Sequence, residues 1–400
     1  MYKIDILFLD REFEHDVYEL IKAFYPEAEI HTLYDEAEAG EYDLRFRVER
    51  ENETYKISYD RRENVTAGFS ERKGVASADV IGEDKLTVKD PHALRKENKD
   101  ALKYALYQLL VKLTGRTLPW GNLTGIRPAK LAMGMIESGM KNTEAARKMR
   151  EKYLVSPEKT ALAVTIANRE REILKDIDYE NGYSLYIGIP FCPSICLYCS
   201  FSSYPLKVWE KRTDEYVEAL CKEIRETAFL MQGRKLDTIY IGGGTPTTLL
   251  PHQLRKLLDT LGEAFGYEGL AEFTIEAGRP DSITREKLQA IREYPVTRIS
   301  VNPQTMNQET LDLIGRRHTV EQTREAFYLA RELGYDNINM DLIVGLPGED
   351  RKMVEHTLDE VKALAPDSVT VHSLAVKRAA RLNIFKDRYQ EMTFENNQEI

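Results

Sequence analysis

The sequence predicts an α/β chain in which a partial (β/α)6 barrel, residues 181–400, follows a smaller α+β domain, residues 1–180. Three observations carry this reading. From about residue 182 strand-like runs alternate with helical ones, and a repeated strand–helix pattern implies a parallel sheet. The repeat occurs six times, short of the eight that close a barrel. Before residue 82 the chain instead holds short segments of alternating polarity, the pattern of a small half-buried sheet.

In the first domain these segments are Ile4–Leu9, Glu29–Leu33, Leu44–Val48 and Tyr55–Tyr59, and they are expected to pair antiparallel. Asp90-Pro91 then supplies an N-cap followed by proline at the first helical position. That helix should run to about Thr114, with Leu94, Leu102, Leu106 and Leu110 inside and Gly115 ending it. A further helix starts at Ser156-Pro157 and carries Leu162, Ile166 and Ile173. Between them, Pro119-Trp120-Gly121-Asn122-Leu123-Thr124-Gly125-Ile126-Arg127-Pro128 is dense in turn formers and reads as a structural loop between domains. Residues 1–180 include this helical connector and name no reaction.

In the second domain the strands are expected at Leu185–Ile189, Thr238–Ile241, Glu272–Glu276, Arg298–Val301, Asn337–Val344 and Ser368–Ser373. Helical periodicity follows each of the first five, for example over Asp214–Leu230 and Glu321–Leu333, and the last 25 residues read as the helix after strand six.

Composition narrows the class. The hydrophobic share of 42% is ordinary for a globular chain. Lys and Arg total 56 against 66 Asp and Glu, a net charge of −10, which argues against a nucleic-acid footprint. The opening ten residues place charges inside a short apolar run, so they read as neither a signal peptide nor a membrane span. Four cysteines, three of them clustered, make no disulfide framework, and the chain reads as cytoplasmic.

The clustered cysteines are Cys192, Cys196 and Cys199, directly after the first barrel strand. The spacing C-x3-C-x2-C offers three thiolates to a cluster that takes four ligands, leaving one iron of a [4Fe–4S] centre open. Structural zinc closes with four protein ligands. The fourth cysteine, Cys221, falls beside Val217, Leu220 and Ile224 on a buried helical stripe, where free cysteine acts as a small hydrophobe. Chemistry in βα barrels sits at the C-terminal ends of strands. There the sequence places Gly242-Gly243-Gly244-Thr245-Pro246, Glu276, Gln304 and Asp341, the glycines being suited to bring backbone N–H groups close to an anionic group.

These residues resemble the radical SAM (S-adenosylmethionine) superfamily, and within it the oxygen-independent coproporphyrinogen III oxidase (dehydrogenase) family, HemZ branch. The run Tyr186-Ile-Gly-Ile-Pro-Phe191-Cys192 is similar to that family's Tyr-Ile-His-Ile-Pro-Phe-Cys approach to the cluster loop. The resemblance covers residues 183 to about 376 and touches the first half only through Leu-Thr-Gly-Ile-Arg-Pro. It implies a barrel of the radical SAM type, with Cys192, Cys196 and Cys199 holding the [4Fe–4S] cluster and SAM chelating the open iron. It implies further that Tyr186 lies against the sulfonium and Tyr198 near the adenine. Gly243, Gly244 and Thr245 would meet the methionine amino group. Glu276, Gln304, Arg316 and Asp341 match further polar SAM contacts, and Ala375 a backbone contact after strand six. On residue type alone, Arg316 reads as one of three solvated charges and Glu276 as a helix-capping acid, while His318 and His372, candidates for haem iron, read better as surface or hydrogen-bonded side chains.

The implied reaction is oxidative decarboxylation of coproporphyrinogen III propionates to vinyl groups, with no side chain doing the radical chemistry itself. It needs a tetrapyrrole substrate, an electron acceptor and an electron donor such as flavodoxin or ferredoxin, and no nucleic acid. Arg317, Lys377 and Arg378 are the candidate cations for the propionates. Three departures stand out: Phe201 where well-studied decarboxylases carry a further cysteine, Gly188 where the family has histidine, and an end at Ile400, before the expected closing segment. Two alternatives remain open, a haem chaperone built on the same fold and an anaerobic haem-degrading radical SAM methyltransferase.

Overall fold

The computed structural model describes residues 2–38, 40–51, 54–65, 68–79 and 91–385. The chain divides into two compact units, Met1–Lys175 and Asp176–Ile400.

The first unit begins with β1 (Lys3–Phe8), α1 (Glu14–Phe24), β2 (Glu29–Leu33), β3 (Leu44–Glu51), β4 (Thr54–Val65) and β5 (Gly68–Asp79). They form one sheet in the order β2-β1-β3-β4-β5. The sheet is mixed rather than antiparallel: β1 runs parallel to both β2 and β3, while β3, β4 and β5 alternate in direction. The reason is α1, which the alternation of the flanking segments concealed. A helix between two strands returns the chain to the same edge and makes the pair parallel. Its Val17, Leu20, Ile21 and Phe24 are buried at i, i+3, i+4, i+7. They pack with Ile4, Ile6, Phe8, Phe46 and four leucines of the next helix in one core.

That helix, α2 (Pro91–Thr114), buries Leu102, Leu106 and Leu110, and the expected N-cap Asp90 lies outside the described residues. Gly115 ends it at φ +68°, its N–H donating to the Val111 carbonyl at 2.8 Å. Three helices follow: α3 (Pro128–Glu137), α4 (Asn142–Tyr153) and α5 (Pro157–Ile173). The turn-rich segment therefore joins α2 to α3 inside the first unit and does not separate domains. On α5 the small residues Thr160, Ala163 and Ala167 face inward, whereas Leu162 and Ile173 are exposed.

The second unit holds β6 (Gly182–Ile189), the short pair β7 (Phe191–Cys192) and β8 (Tyr204–Pro205), α6 (Leu206–Trp209), α7 (Thr213–Leu230), β9 (Lys235–Gly243) and α8 (Pro251–Phe265). It continues through β10 (Glu272–Gly278), α9 (Arg285–Arg292), β11 (Arg298–Val301), α10 (Gln308–Leu313), α11 (Val320–Glu332), β12 (Ile338–Val344), α12 (Arg351–Leu364), β13 (Ser368–Ser373) and α13 (Arg381–Ile384). Six strands form one parallel sheet in the order β13-β12-β11-β10-β9-β6. Sequence order equals spatial order and β6 is not paired with β13, so the sheet is an open partial barrel. The helices between strands pack on it through a core that includes Ile241, Leu257, Phe273, Ile299, Phe327 and Met340. Cys221 is fully buried in that core, as its helical stripe predicts. Of the helix predicted over the last 25 residues, the described part is helical only in the four-residue α13, and the rest lies outside the described residues.

Candidate functional site

The cysteine loop leaves β6 and is pinned at several points. The Leu197 N–H donates to the Ile314 carbonyl at 2.9 Å, and the Leu382 N–H donates to the Leu197 carbonyl at 2.8 Å. The Leu197 side chain packs with Leu311, Ile314, Leu346 and Leu382. Ser194 Oγ donates to the Gly315 carbonyl at 2.8 Å. Cys192 and Cys196 are buried and Cys199 is half-buried, all as free thiols. Burial pushes the Cys192 and Cys199 thiols up, and the neighbouring thiols reinforce the shift, so the three sulfurs share one electrostatic neighbourhood. Among the described residues no three His, Cys, Asp or Glu side chains gather around a single-ion position. Three separate thiols on one pinned loop, with Cys221 committed to the core, fit the three protein ligands of a [4Fe–4S] cluster and fall short of closed zinc coordination.

The glycine loop after β9 lies directly against this loop. The Gly244 N–H donates to the Ile189 carbonyl at 2.7 Å and the Thr245 N–H to the Phe191 carbonyl at 2.8 Å. Thr245 Oγ1 lies 3.6 Å from Cys192 Sγ as a donor. These two N–H groups are thus spent on the protein, which corrects the expectation that they face an anionic ligand. A Cβ on Gly244 would sit 2.7 Å from the Phe191 carbonyl oxygen and 3.0 Å from Cys192 Sγ. Gly243 adopts φ +103°, open to glycine alone at little cost.

On the next strands the polar residues converge. Tyr240 donates its hydroxyl to Glu276 Oε1 at 2.5 Å, and its ring stacks on Tyr186 with centroids 5.7 Å apart. Burial raises the Glu276 carboxyl; the Tyr240 hydrogen bond opposes that shift and the Asp341 charge adds to it. Asp341 accepts from Asn339 Nδ2 at 2.7 Å, so this strand carboxylate is not unpaired. Gln304 bridges to β12: its N–H donates to the Asp341 carbonyl at 3.0 Å and its carbonyl accepts from the Ile343 N–H at 2.9 Å. Its φ of +71° is strained for a residue with a side chain.

Two arginines complete the rim. Arg316 is 6% exposed, which overturns the reading of it as a solvated charge. One of its amino groups donates to the Asn302 carbonyl, its Nε has no partner among the described residues, and it faces Tyr198 and Cys196. Arg279 escaped sequence reasoning, because one arginine between glycine and proline carries no periodic signal. It is 3% exposed and grips Asp281 through Nε at 3.0 Å and Nη2 at 2.7 Å. Its Nη1 reaches the Ser194 carbonyl at 3.0 Å, Ser194 Oγ at 2.7 Å and Cys196 Sγ at 3.9 Å.

Ala375, Arg317, Lys377, Arg378 and His372 are exposed. His318, expected at the surface or hydrogen-bonded, is instead fully buried with both ring nitrogens unpartnered among the described residues. Burial, with Arg316 next, pushes its pKa down to about 3. Phe201 is 72% exposed.

Residues 186–361 match the Radical SAM superfamily. The chain is 41% identical over 299 residues to the oxygen-independent coproporphyrinogen-III oxidase-like protein HemZ of Bacillus subtilis (strain 168), covering 74% of this chain and 60% of the relative. That stretch is longer than the second unit, so the likeness extends into the first. Heme chaperone HemW of the same organism is 40% identical over 195 residues, 48% of this chain and 51% of the relative. The oxygen-independent coproporphyrinogen III oxidase of Escherichia coli (strain K12) is 35% identical over 196 residues, 49% of this chain and 42% of the relative. The chain thus spans 42–60% of the length of these curated relatives. Among solved structures, Escherichia coli coproporphyrinogen III oxidase (HemN) aligns with TM-score 0.46 and 30% identity, over 56% of this chain and 55% of that one.

Proposed function

Because the chain carries a radical SAM superfamily domain, we propose that it is an oxidative decarboxylase of tetrapyrrole propionates that converts coproporphyrinogen III toward protoporphyrinogen IX. The observation that carries the cofactor part is the pinned loop of Cys192, Cys196 and Cys199 with the glycine loop closed against it. Its three thiols would hold a [4Fe–4S] cluster and leave one iron for SAM. With both bound, the site would supply radical abstraction of a propionate β-hydrogen, and the net loss of that hydrogen, carbon dioxide and one further electron would leave a vinyl group. The reaction needs an electron donor such as a flavodoxin or ferredoxin and a separate acceptor.

The residues of this chain position and shield. The Gly244 and Thr245 N–H groups are occupied, and the Thr245 carbonyl accepts from the Thr248 N–H at 2.9 Å and the Thr248 hydroxyl at 2.7 Å, so beside Thr245 it is the carbonyl oxygens of Gly243 and Gly244 that suit the methionine ammonium. Glu276 and Asp341 are acceptors for ammonium or ribose hydroxyl donors. Arg316, buried with a free Nε, suits the methionine carboxylate. Tyr186, stacked on Tyr240, gives an aromatic wall on the sulfonium side. Tyr198 is assigned to the adenine and Ala375 to a backbone contact after β13. The exposed Arg317, Lys377 and Arg378 are proposed to meet propionates. No helix among the described residues is long and apolar enough to cross a membrane.

A second reading, haem transfer by a chaperone, is favoured by one observation. Phe201 projects into solvent where decarboxylases carry cysteine. The deciding experiment incubates reconstituted protein anaerobically with dithionite and SAM, with and without coproporphyrinogen III. Substrate-dependent 5′-deoxyadenosine and loss of one or two carboxyl groups by mass spectrometry supports the decarboxylase. Slow, substrate-independent SAM cleavage with unchanged porphyrinogen, together with tight haem binding, moves the assignment to haem handling. Cys196→Ala should abolish iron uptake; retained iron would overturn the cluster assignment.

A further inference from the structure

The first unit contains a cleft of about 530 Å³ between the outer face of α2 and the segment that leads into α3. That volume lies within the range of small-molecule sites. On a chain of net charge −10 the cleft is lined by five cations, Lys96, Lys99, Lys103, Arg127 and Lys130, against the acids Asp16 and Asp100. The acids are already engaged. Asp16 lies 3.6 Å from Lys99 and 3.8 Å from Lys103, and Asp100 lies 3.1 Å from Lys152. Lys96, Arg127 and Lys130 have no acidic partner among the described residues.

Two independent features point to a ligand. Asn122 is 2% exposed and lines the cleft, and its Nδ2 has no hydrogen-bond partner among the described residues. A buried amide donor of this kind is costly unless something accepts from it. The N-terminus of α3 also opens here. Its N-cap, Arg127, provides no side-chain acceptor and its first turn contains no acidic residue, so the positive end of a ten-residue helix adds to the field of the side chains. The architecture that holds these groups is rigid. The Asn122 N–H donates to the Tyr153 carbonyl at 3.0 Å, and buried Lys103 donates to Thr124 Oγ1 at 2.7 Å. Leu123, Ile126 and Leu131 make the wall partly apolar.

We propose that this cleft binds a small organic polyanion, an apolar body carrying two or more carboxylate or phosphate groups. Arg127 and Lys130 bind the anionic arms, Asn122 donates to one of their oxygens, and the leucine and isoleucine side chains cover the body. This assignment gives the turn-rich segment a role independent of the radical SAM chemistry of the other unit.

The test is isothermal titration of the full chain with three probes: coproporphyrin III for carboxylates on an apolar body, ATP for phosphates on one, and pyrophosphate for charge alone. The expected result is that coproporphyrin III or ATP binds more tightly than pyrophosphate, which of the two identifying the anionic group. Arg127→Gln with Lys130→Gln should weaken it at least about tenfold. Both side chains are exposed and without an acidic partner, so the variant should fold, which circular dichroism checks. Separately, Asn122→Leu should weaken binding with the charges intact. No binding of either organic probe, equal binding of pyrophosphate, or binding unchanged in the Arg127/Lys130 variant would each overturn the proposal, the last because the probe would then sit elsewhere.

Discussion

Arg279 Nη1 donates to both oxygens of Ser194, the carbonyl at 3.0 Å and Oγ at 2.7 Å, while Ser194 Oγ in turn donates to the Gly315 carbonyl. The residue that follows β10 thereby fixes the middle of the cysteine loop, and the other edge of the same guanidinium is committed to Asp281. A planar fork can serve both sides at once, whereas an ammonium cannot. Arg279→Ala leaves Asp281, only 17% exposed, without its partner, at a cost of roughly 2–4 kcal/mol after allowing for that exposure. The variant should melt lower and take up less iron on anaerobic reconstitution, and Arg279→Lys should fall between it and the wild type. Full iron loading in Arg279→Ala would mean that the contacts to Ile314, Gly315 and Leu382 hold the loop unaided.

Two glycines near the cluster loop should respond in opposite ways to the same substitution. A Cβ at Gly244 meets the Ile189 carbonyl at 2.9 Å, the Phe191 carbonyl at 2.7 Å and Cys192 Sγ at 3.0 Å, none of which is a flexible side-chain end. At Gly188 the nearest atom is Tyr186 Cε1 at 3.6 Å, an ordinary contact. Gly244→Ala should therefore displace Cys192 and reduce iron and SAM binding. Gly188→Ala should leave both intact and change stability by less than about 1 kcal/mol. Iron content and SAM affinity measured side by side distinguish the two, and equal behaviour would show that the close approach at Gly244 is dispensable.

The sequence exposes what repeats and hides what is paid out singly across space. Six parallel strands were legible because each is a short apolar run bounded by helical periodicity, and the rim followed from strand ends. Strand β5 was not legible: Gly68–Asp79 is rich in small and charged residues and is specified by its twelve-residue pairing with β4. Helix α1 was hidden by reading the flanking segments as one small antiparallel sheet, although its own stripe of Val17, Leu20, Ile21 and Phe24 carries the signal. At the site, Cys192, Cys196 and Cys199 announce themselves by spacing. Arg279 does not, since its partners Ser194 and Cys196 are 85 and 83 residues away in sequence. Arg316 shows the same limit in reverse, belonging to a run from which burial takes Arg316 and His318 and leaves Arg317 exposed.

The turn segment of the first unit offers an internal control for backbone strain. Gly121 and Gly125 both adopt positive φ, +59° and +66°. Around Gly125 there is open space, whereas a Cβ on Gly121 would lie 2.0 Å from the Tyr153 carbonyl oxygen and 2.5 Å from the Leu154 backbone. Gly125→Ala should cost only the left-handed penalty, about 1–2 kcal/mol. Gly121→Ala must also separate this segment from the end of α4, and should cost more and disturb Asn122. Thermal unfolding compares the stabilities; similar midpoints for the two variants would show that the segment yields without loss.

Glu276 gives a pH dependence whose sign follows from its surroundings. Burial raises its pKa above the ordinary 4.5, and Asp341 pushes the same way against the Tyr240 hydrogen bond. The folded chain then holds this proton more tightly than the unfolded chain. Stability from this group is greatest below the unfolded value and is lost as pH rises from about 4.5 through the folded pKa. Glu276→Gln keeps an acceptor for Tyr240 and removes the titration. The stability of the wild type relative to the variant should therefore fall as pH rises through that window, read from urea unfolding of both chains at matched pH. A flat difference would place Glu276 in a solvated environment. An ammonium or hydroxyl donated to the carboxylate favours its charged form and lowers its pKa. Adding SAM should accordingly shrink the slope if Glu276 receives such a donor, and an unchanged slope with SAM bound would remove Glu276 from the contacts assigned to it.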